Sequence, residues 1–377
     1  MLFKTSLLAL GLCAAASALP QSAAAKDCFI LVHGHTRAAD TTQDPIGVDP
    51  NAPNSVAYGY NYWRTTNGDF IQSVTQNGLA NHGVIRWNAY DGPHKAYWQA
   101  DVVASVVAQL ISITSGQGDY YSHAGQCSAS DRFYVVAHSQ GAQVMTYINA
   151  NAYPGARFYN KGLVTADGAT ITASTLAGAA TTALPLDTAM SKITALITIG
   201  GAINGTQGMD IVCTNGASKA LAEQVVGAGC TPSLQTLAQY NPSANSGSKM
   251  LKPTYHFGGT ASFAMPLTAS SALLGGEDDG TVNLASQMNC AGSPTRDLES
   301  DLREYAFGVA VTFSCNNLNK RHSNTFNVGT FDQDHESERG VKTGTVAQDT
   351  GAADALNCGT NLDMSRAIPK CVASGSL

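Results

Sequence analysis

Charge is scarce in this chain, and positive charge most of all. Asp, Glu, Lys and Arg make up only 13% of 377 residues, with 21 Lys and Arg against 27 acids. The cations form no stripe and no run, so the footprint that grips a phosphate backbone is missing and nucleic acid is not an expected partner. Beyond residue 25 no apolar stretch approaches the roughly 20 residues of a membrane span, so no transmembrane segment is expected. There is no Cys-x-x-Cys pair and no His/Cys cluster, which argues against a zinc site. No internal repeat and no clear domain boundary is visible.

What is present points to export. Lys4, the apolar stretch from Leu7 to Leu19 and Ser22-Ala23-Ala24-Ala25 have the three-part layout of a signal peptide, with cleavage expected near Ala25. Its removal takes Lys4 away and shifts the net charge from −6 to about −7. Cys13 leaves with the leader. Cys28, Cys127, Cys213, Cys230, Cys290, Cys315, Cys358 and Cys371 remain, an even set that implies disulfides in a secreted, extracellular protein. Short spacings favour Cys213–Cys230, Cys290–Cys315 and Cys358–Cys371, leaving Cys28 with Cys127. Residues 26–377 then form one domain.

The most informative segment is Val135-Val136-Ala137-His138-Ser139-Gln140-Gly141-Ala142. Arg132 to Val136 reads as a strand, and Gln143, Val144, Met145, Tyr147 and Ile148 continue with helical spacing. A serine between small residues on so sharp a strand-to-helix turn has its hydroxyl lifted clear of the backbone. This resembles the nucleophile elbow of α/β-hydrolases, with Ala137 in place of the first glycine. Ser139 is the candidate nucleophile. His138 beside it is read as orienting the turn.

A second segment agrees with the first. Phe29-Ile30-Leu31-Val32 is a short apolar run of the kind buried in a parallel sheet, and it ends in His33-Gly34-His35. Ester hydrolysis passes through an oxyanion that needs fixed N–H donors. The backbone N–H groups of Gln140, after the nucleophile, and of His35, in the loop after the early strand, are the candidates. His33 is read as structural.

Four segments together, Phe29–His35, Val135–Ala142, Ile193–Asp210 and Asp279–Val282, resemble the secreted bacterial true lipases of the α/β-hydrolase superfamily. Ala202, Ile203 and Asn204 depart from that family's Thr-Pro-His. The superfamily orders its triad Ser, acid, His. The resemblance implies Asp279 as the acid, in Gly276-Glu277-Asp278-Asp279-Gly280-Thr281-Val282, with Asp278 and Glu277 as alternatives. Only His322 and His335 follow it. His335, in Phe331-Asp332-Gln333-Asp334-His335-Glu336, resembles the family's histidine loop and is the expected base. His322 is the alternative, beside Lys320 and Arg321.

The resemblance also implies an α/β-hydrolase fold, a mostly parallel central sheet with helices on both faces, carrying lid or cap insertions and disulfides. The pattern along the chain agrees: a strand at 28–33, an insertion at 37–62, a helix near 68–79 and a strand at 84–90. The apolar face Trp98, Val102, Val103, Val106, Val107, Leu110 and Ile111 follows, then strands at 132–138 and 193–200. A lid or cap is expected around 204–250, with 168–190 as a second candidate. Tyr58, Tyr60, Tyr62 and Trp63 either line the substrate entrance or pack on the sheet rim.

No cofactor is required for such chemistry. Related lipases hold calcium near the histidine loop; Asp332, Asp334, Glu336 and Glu338 offer oxygens, but Ser337 stands where the family has an aspartate. The expected activity is a lipase or esterase acting on acylglycerols or other carboxylic esters, with a lipid–water interface as a natural setting. A depolymerase of polyhydroxyalkanoate or cutin-like polyester and a non-catalytic binding protein on the same fold remain alternatives. Asn204-Gly205-Thr206 is a glycosylation sequon.

Overall fold

The computed structural model describes residues 24–35, 62–65, 68–85, 98–117, 127–153, 186–213, 219–220, 223, 229–231, 234–236, 249–261, 278–290, 300–306, 309–314, 322–331, 333–335, 337–339, 346–347 and 362–377. Its centre is a seven-stranded sheet. In chain order the strands are β1 (Asp27–Val32), β2 (Ala80–Ile85), β3 (Arg132–His138), β4 (Ile193–Ile199), β5 (Lys249–Gly259), β6 (Ser323–Phe331) and β7 (Val346–Ala347). The spatial order is β7-β6-β5-β4-β3-β1-β2. Every pairing is parallel except that of β6 with the short edge strand β7. Parallel neighbours require crossovers, and from β1 to β4 these carry helices: α1 (Phe70–Gln76), α2 (Trp98–Ser112), α3 (Gln140–Asn151) and α4 (Leu186–Ser191).

The uninterrupted apolar runs follow from burial on both faces. In β1, Cys28, Ile30 and Val32 enter one core with Val103, Val106, Val107 and Leu110 of α2. Phe29 and Leu31 point the other way, into a core with Phe70 and Val74 of α1 and with Ile368 and Val372 of the C-terminal helix (Met364–Ala373). The period-two alternation along each strand therefore feeds two cores, and the sheet is the wall between them. The expected α/β architecture with helices on both faces is the one observed.

The sheet differs from expectation at β2, which runs from Ala80 to Ile85; residues 86–90 of the expected strand at 84–90 lie outside the described residues. Asn81, His82 and Gly83 conceal it, because the strand is set by its ladder to β1, Cys28 against Ala80 through Val32 against Ile85. The expected signal peptide, Tyr58 and Tyr60, and most of 168–190 and 204–250 also fall outside the described residues. Among the described residues no helix is long and apolar enough to cross a membrane.

Two of the expected disulfides are formed, Cys28–Cys127 and Cys213–Cys230. Cys290 and Cys371 are disulfide-bonded too; Cys315 and Cys358, their expected partners, lie outside the described residues. Cys28–Cys127 closes a separation of 99 residues, anchoring the start of β1 to the segment before β3. Chain-entropy reasoning values such a closure at about 4–5 kcal/mol. Replacing both cysteines by alanine is expected to cost about 2–5 kcal/mol in urea denaturation, and a loss below about 1 kcal/mol would show that the packed sheet makes the crosslink redundant.

Candidate active site

Ser139 stands between β3 and α3 at φ 55° and ψ −126°, a conformation that a side chain tolerates poorly. The turn is fixed on all sides. The Ser139 N–H donates to the Ile199 carbonyl at 3.1 Å, and the Ser139 carbonyl accepts from Ala142 and Ala202, each at 3.1 Å. Small residues make this geometry possible. A Cβ on Gly141 would overlap the His33 and Val32 carbonyls. One on Gly34 would come within 2.5 Å of both Ser139 Cβ and the Tyr62 hydroxyl.

His335 follows the end of β6, and its ring lies between two partners. Nε2 is 2.8 Å from Ser139 Oγ, and Nδ1 is 2.6 Å from Asp279 Oδ2. Nδ1 faces a carboxylate and therefore carries the ring proton, leaving Nε2 to accept the serine O–H. Asp279 is fully buried, and its Oδ1 accepts the N–H groups of Thr281 at 2.9 Å and Val282 at 2.7 Å. The His335 N–H donates to the Asp279 carbonyl at 2.8 Å, so the two loops are joined through backbone as well as side chains. Gln287 bonds both Gly259, at the end of β5, and the Val282 carbonyl, which locks the acid loop to the sheet.

The other candidates lie apart from this line. Asp278 Oδ1 accepts the Gly280 N–H at 2.6 Å within its own turn. Glu277 falls outside the described residues. His322 precedes β6 while His335 follows it; nine strand residues separate them, about 30 Å of chain, and the His322 ring bonds Asn289 at 2.8 Å. His35 and Gln140, expected to offer backbone N–H groups, are tied by a hydrogen bond of 2.9 Å from His35 Nδ1 to Gln140 Oε1. Gln140 opens α3 directly after Ser139. His33 is fully buried and donates from Nδ1 to the Gly34 carbonyl at 2.9 Å, as a structural histidine does.

Two residues expected in other roles, Tyr62 at the substrate entrance or sheet rim and Glu338 as a calcium oxygen, lie beside this line. Tyr62 packs over the His33 and His138 rings and bonds His138 Nδ1 at 2.5 Å; a sequence pattern gives no sign of that contact. Glu338, three residues after the histidine, entered only as an oxygen for calcium. It is fully buried, with Oε2 at 3.1 Å from His138 Nε2. Of the oxygens expected for calcium, those of Glu338 face inward to a histidine, and Asp334 Oδ1 accepts the Ser337 N–H at 3.0 Å. Asp332 and Glu336 lie outside the described residues.

In the segment expected to carry a lid or cap, helix Gln207–Cys213 packs beside this line, its Met209 and Val212 clustering with Ala202, Leu234 and Val282. Within that helix Asp210 holds the Thr236 N–H at 2.9 Å and the Thr236 hydroxyl. Burial, outweighing those two bonds, raises the Asp210 carboxyl above its ordinary value of 3.8. A carboxyl raised on folding stabilises the protonated fold. Its contribution is full below 3.8 and is lost as pH rises through the folded value. Wild-type Tm should therefore fall relative to Asp210→Asn as pH rises from 3.5 toward 6.5, by about 2–4 °C per pKa unit. Parallel Tm–pH curves would contradict this. Nearby, the sequon asparagine, Asn204, is buried, donating from Nδ2 to the Cys290 carbonyl at 3.0 Å.

Arranged in this way, Ser139 can lose its proton to His335 as it attacks an electrophile, with Asp279 supporting the imidazolium. No protein-family profile and no curated protein matches the sequence. Among solved structures, a Bacillus licheniformis lipase, BlEst2 in mature form, is 14% identical with a TM-score of 0.42, covering 85% of this chain and 89% of its own. EstA from Clostridium botulinum is 13% identical at TM-score 0.44, covering 84% and 83%. A Staphylococcus hyicus lipase is 13% identical at TM-score 0.40, covering 95% of each chain. At these values the likenesses carry no argument about the reaction this chain performs.

Proposed function

We propose that this chain is a secreted serine hydrolase of carboxylic esters, working through Ser139, His335 and Asp279 and an acyl-enzyme. The reading rests on one observation, the unbroken line from Ser139 Oγ through His335 to a buried carboxylate at 2.8 and 2.6 Å. His335 takes the Ser139 proton as Oγ attacks the ester carbonyl. The N–H groups of Gln140 and His35 stabilise the oxyanion. The imidazolium then protonates the leaving alcohol, and water repeats the sequence on the acyl-enzyme. Secretion draws support from the disulfides, which persist in oxidising compartments.

Hydrolysis of p-nitrophenyl butyrate and palmitate, emulsified triglyceride and polyester film tests the reading. Turnover of the soluble esters, lost in Ser139→Ala, is the expected result. Film erosion with little triglyceride turnover would redirect it to polymer substrates. A folded wild type inert toward all four would sink it.

A further inference from the structure

Behind the Ser139–His335–Asp279 line lies a second buried array for which the proposed reaction has no use. His138 is fully buried, and its ring stacks on that of His335 with centroids 4.4 Å apart and planes tilted by 37°. His138 Nε2 faces two oxygens, the His335 carbonyl at 3.0 Å and Glu338 Oε2 at 3.1 Å. A carbonyl can only accept, so Nε2 carries the proton, and Nδ1 of the neutral ring accepts the Tyr62 O–H at 2.5 Å. Tyr62, His138 and Glu338 thus form a directed chain, and it ends at a carboxylate. Glu338 Oε2 lies 3.7 Å from His335 Nδ1, the nitrogen already bonded to Asp279.

The fold has made room for that carboxylate. A Cβ on Gly200 would land on Glu338 Oε2, and one on Gly259 on Oε1. Gly200 also adopts φ +49°, so glycine is favoured there twice over. Two strand-end glycines, a buried histidine and a tyrosine hydroxyl all serve to keep one acid in the interior. Such burial is expensive for an anion, and packing alone would be served better by an apolar side chain.

Resting on the serine-hydrolase reading above, we propose that Glu338 is a second carboxylate for His335. It is a positioning residue that shares with Asp279 the task of keeping the proton on Nδ1 and supporting the imidazolium. His138 and Tyr62 aim it. At 3.7 Å it is out of hydrogen-bond range while Asp279 holds Nδ1, and it moves in when Asp279 no longer accepts. The proton inventory is unchanged: Ser139 gives its proton to Nε2, and Glu338 stays ionised throughout. Among the described residues, the titratable groups in contact with His335 are Asp279, Glu338 and His138, with Tyr62 one bond further.

The test is a double-mutant cycle with Asp279→Asn and Glu338→Gln, read as kcat/KM on p-nitrophenyl butyrate across pH. Asn keeps an oxygen for the Thr281 and Val282 N–H groups but cannot accept from Nδ1. With a second acid present, Asp279→Asn should cost about 100-fold, against the roughly 10⁴-fold of a site that has only one. Glu338→Gln should cost about three- to tenfold in the wild type and about 100-fold in the Asp279→Asn background. It should also move the acid limb of kcat/KM about one unit lower, because an imidazole deprived of a nearby anion loses its proton sooner. Glu338→Asp withdraws the charge without deleting it and should shift the limb the same way by less, which covers a glutamine variant that fails to fold. Equal factors in both backgrounds with an unmoved limb would reduce Glu338 to packing and overturn the proposal. Ser139→Ala separates the two readings: turnover that survives it overturns both, whereas turnover lost in it beside an additive cycle overturns this proposal alone.

Discussion

Ser139→Gly is expected to abolish ester turnover and to raise Tm. The two effects come from the same turn. Removing Oγ removes the nucleophile, and losses of about 10⁴-fold or more in kcat/KM accompany such deletions in enzymes of this kind. The backbone at φ 55° and ψ −126° costs a residue with a side chain about 1–3 kcal/mol, whereas glycine adopts it freely. Against this gain stand the extra freedom of glycine in the unfolded chain, roughly 0.5–1 kcal/mol, and the lost bond to His335. With that bond at about 0.5–1.5 kcal/mol, mid-range values leave a small stabilisation, a few tenths of a kcal/mol. It is at most about 2 kcal/mol, read as a Tm rise of up to about 4 °C in calorimetry. Ser139→Ala shares the kinetic loss but keeps the strain. A glycine variant less stable than wild type would mean that the serine side chain, and not the backbone bonds to Ile199 and from Ala142 and Ala202, holds the turn.

The second large effect separates two histidines. His335→Ala should lower kcat/KM by about 10⁴-fold or more, since both Ser139 and Asp279 lose their common partner. His322→Ala should leave turnover within about threefold yet cost about 1–3 kcal/mol in urea denaturation, because it strips Asn289 of a buried hydrogen bond. Full activity in His335→Ala, or inactivity of a folded His322→Ala, would move the base to the other end of β6.

The residues that define the turn were legible because their constraints are local. A buried strand, a serine between small residues and an amphipathic helix are all spelled in adjacent positions, and the same holds for Phe29 to His35. Asp279 and His335 were legible only in chain order and by resemblance. Their meeting is made by β5 and β6, which bring positions 56 residues apart to one corner. Glu338 and Tyr62 were assigned other roles, because an acid after a histidine and a tyrosine in a polar insertion both fit exposed positions equally well. What turns Glu338 inward is the space left by Gly200 and Gly259, 138 and 79 positions upstream, and no local window contains it. β2 was displaced for a related reason: its ladder to β1 overrides a polar stretch that would not form a strand alone.

The burial of Asn204 has a practical consequence for producing the protein. Asn-Gly-Thr is a substrate for the glycosylation machinery of a eukaryotic secretory pathway, and glycans are bulky groups suited to exposed positions. Here the asparagine amide is committed to the Cys290 carbonyl, its N–H to Ser286 Oγ at 2.9 Å, and the threonine hydroxyl to the Thr281 carbonyl at 2.7 Å. These three bonds tie the strand-end loop to the segment that carries Asp279. A sugar attached before folding would keep the Asn204 amide from its bond to the Cys290 carbonyl, so a yeast or insect host would deliver a fraction of chains in which this junction is not formed. A bacterial periplasm supplies oxidation without the sugar.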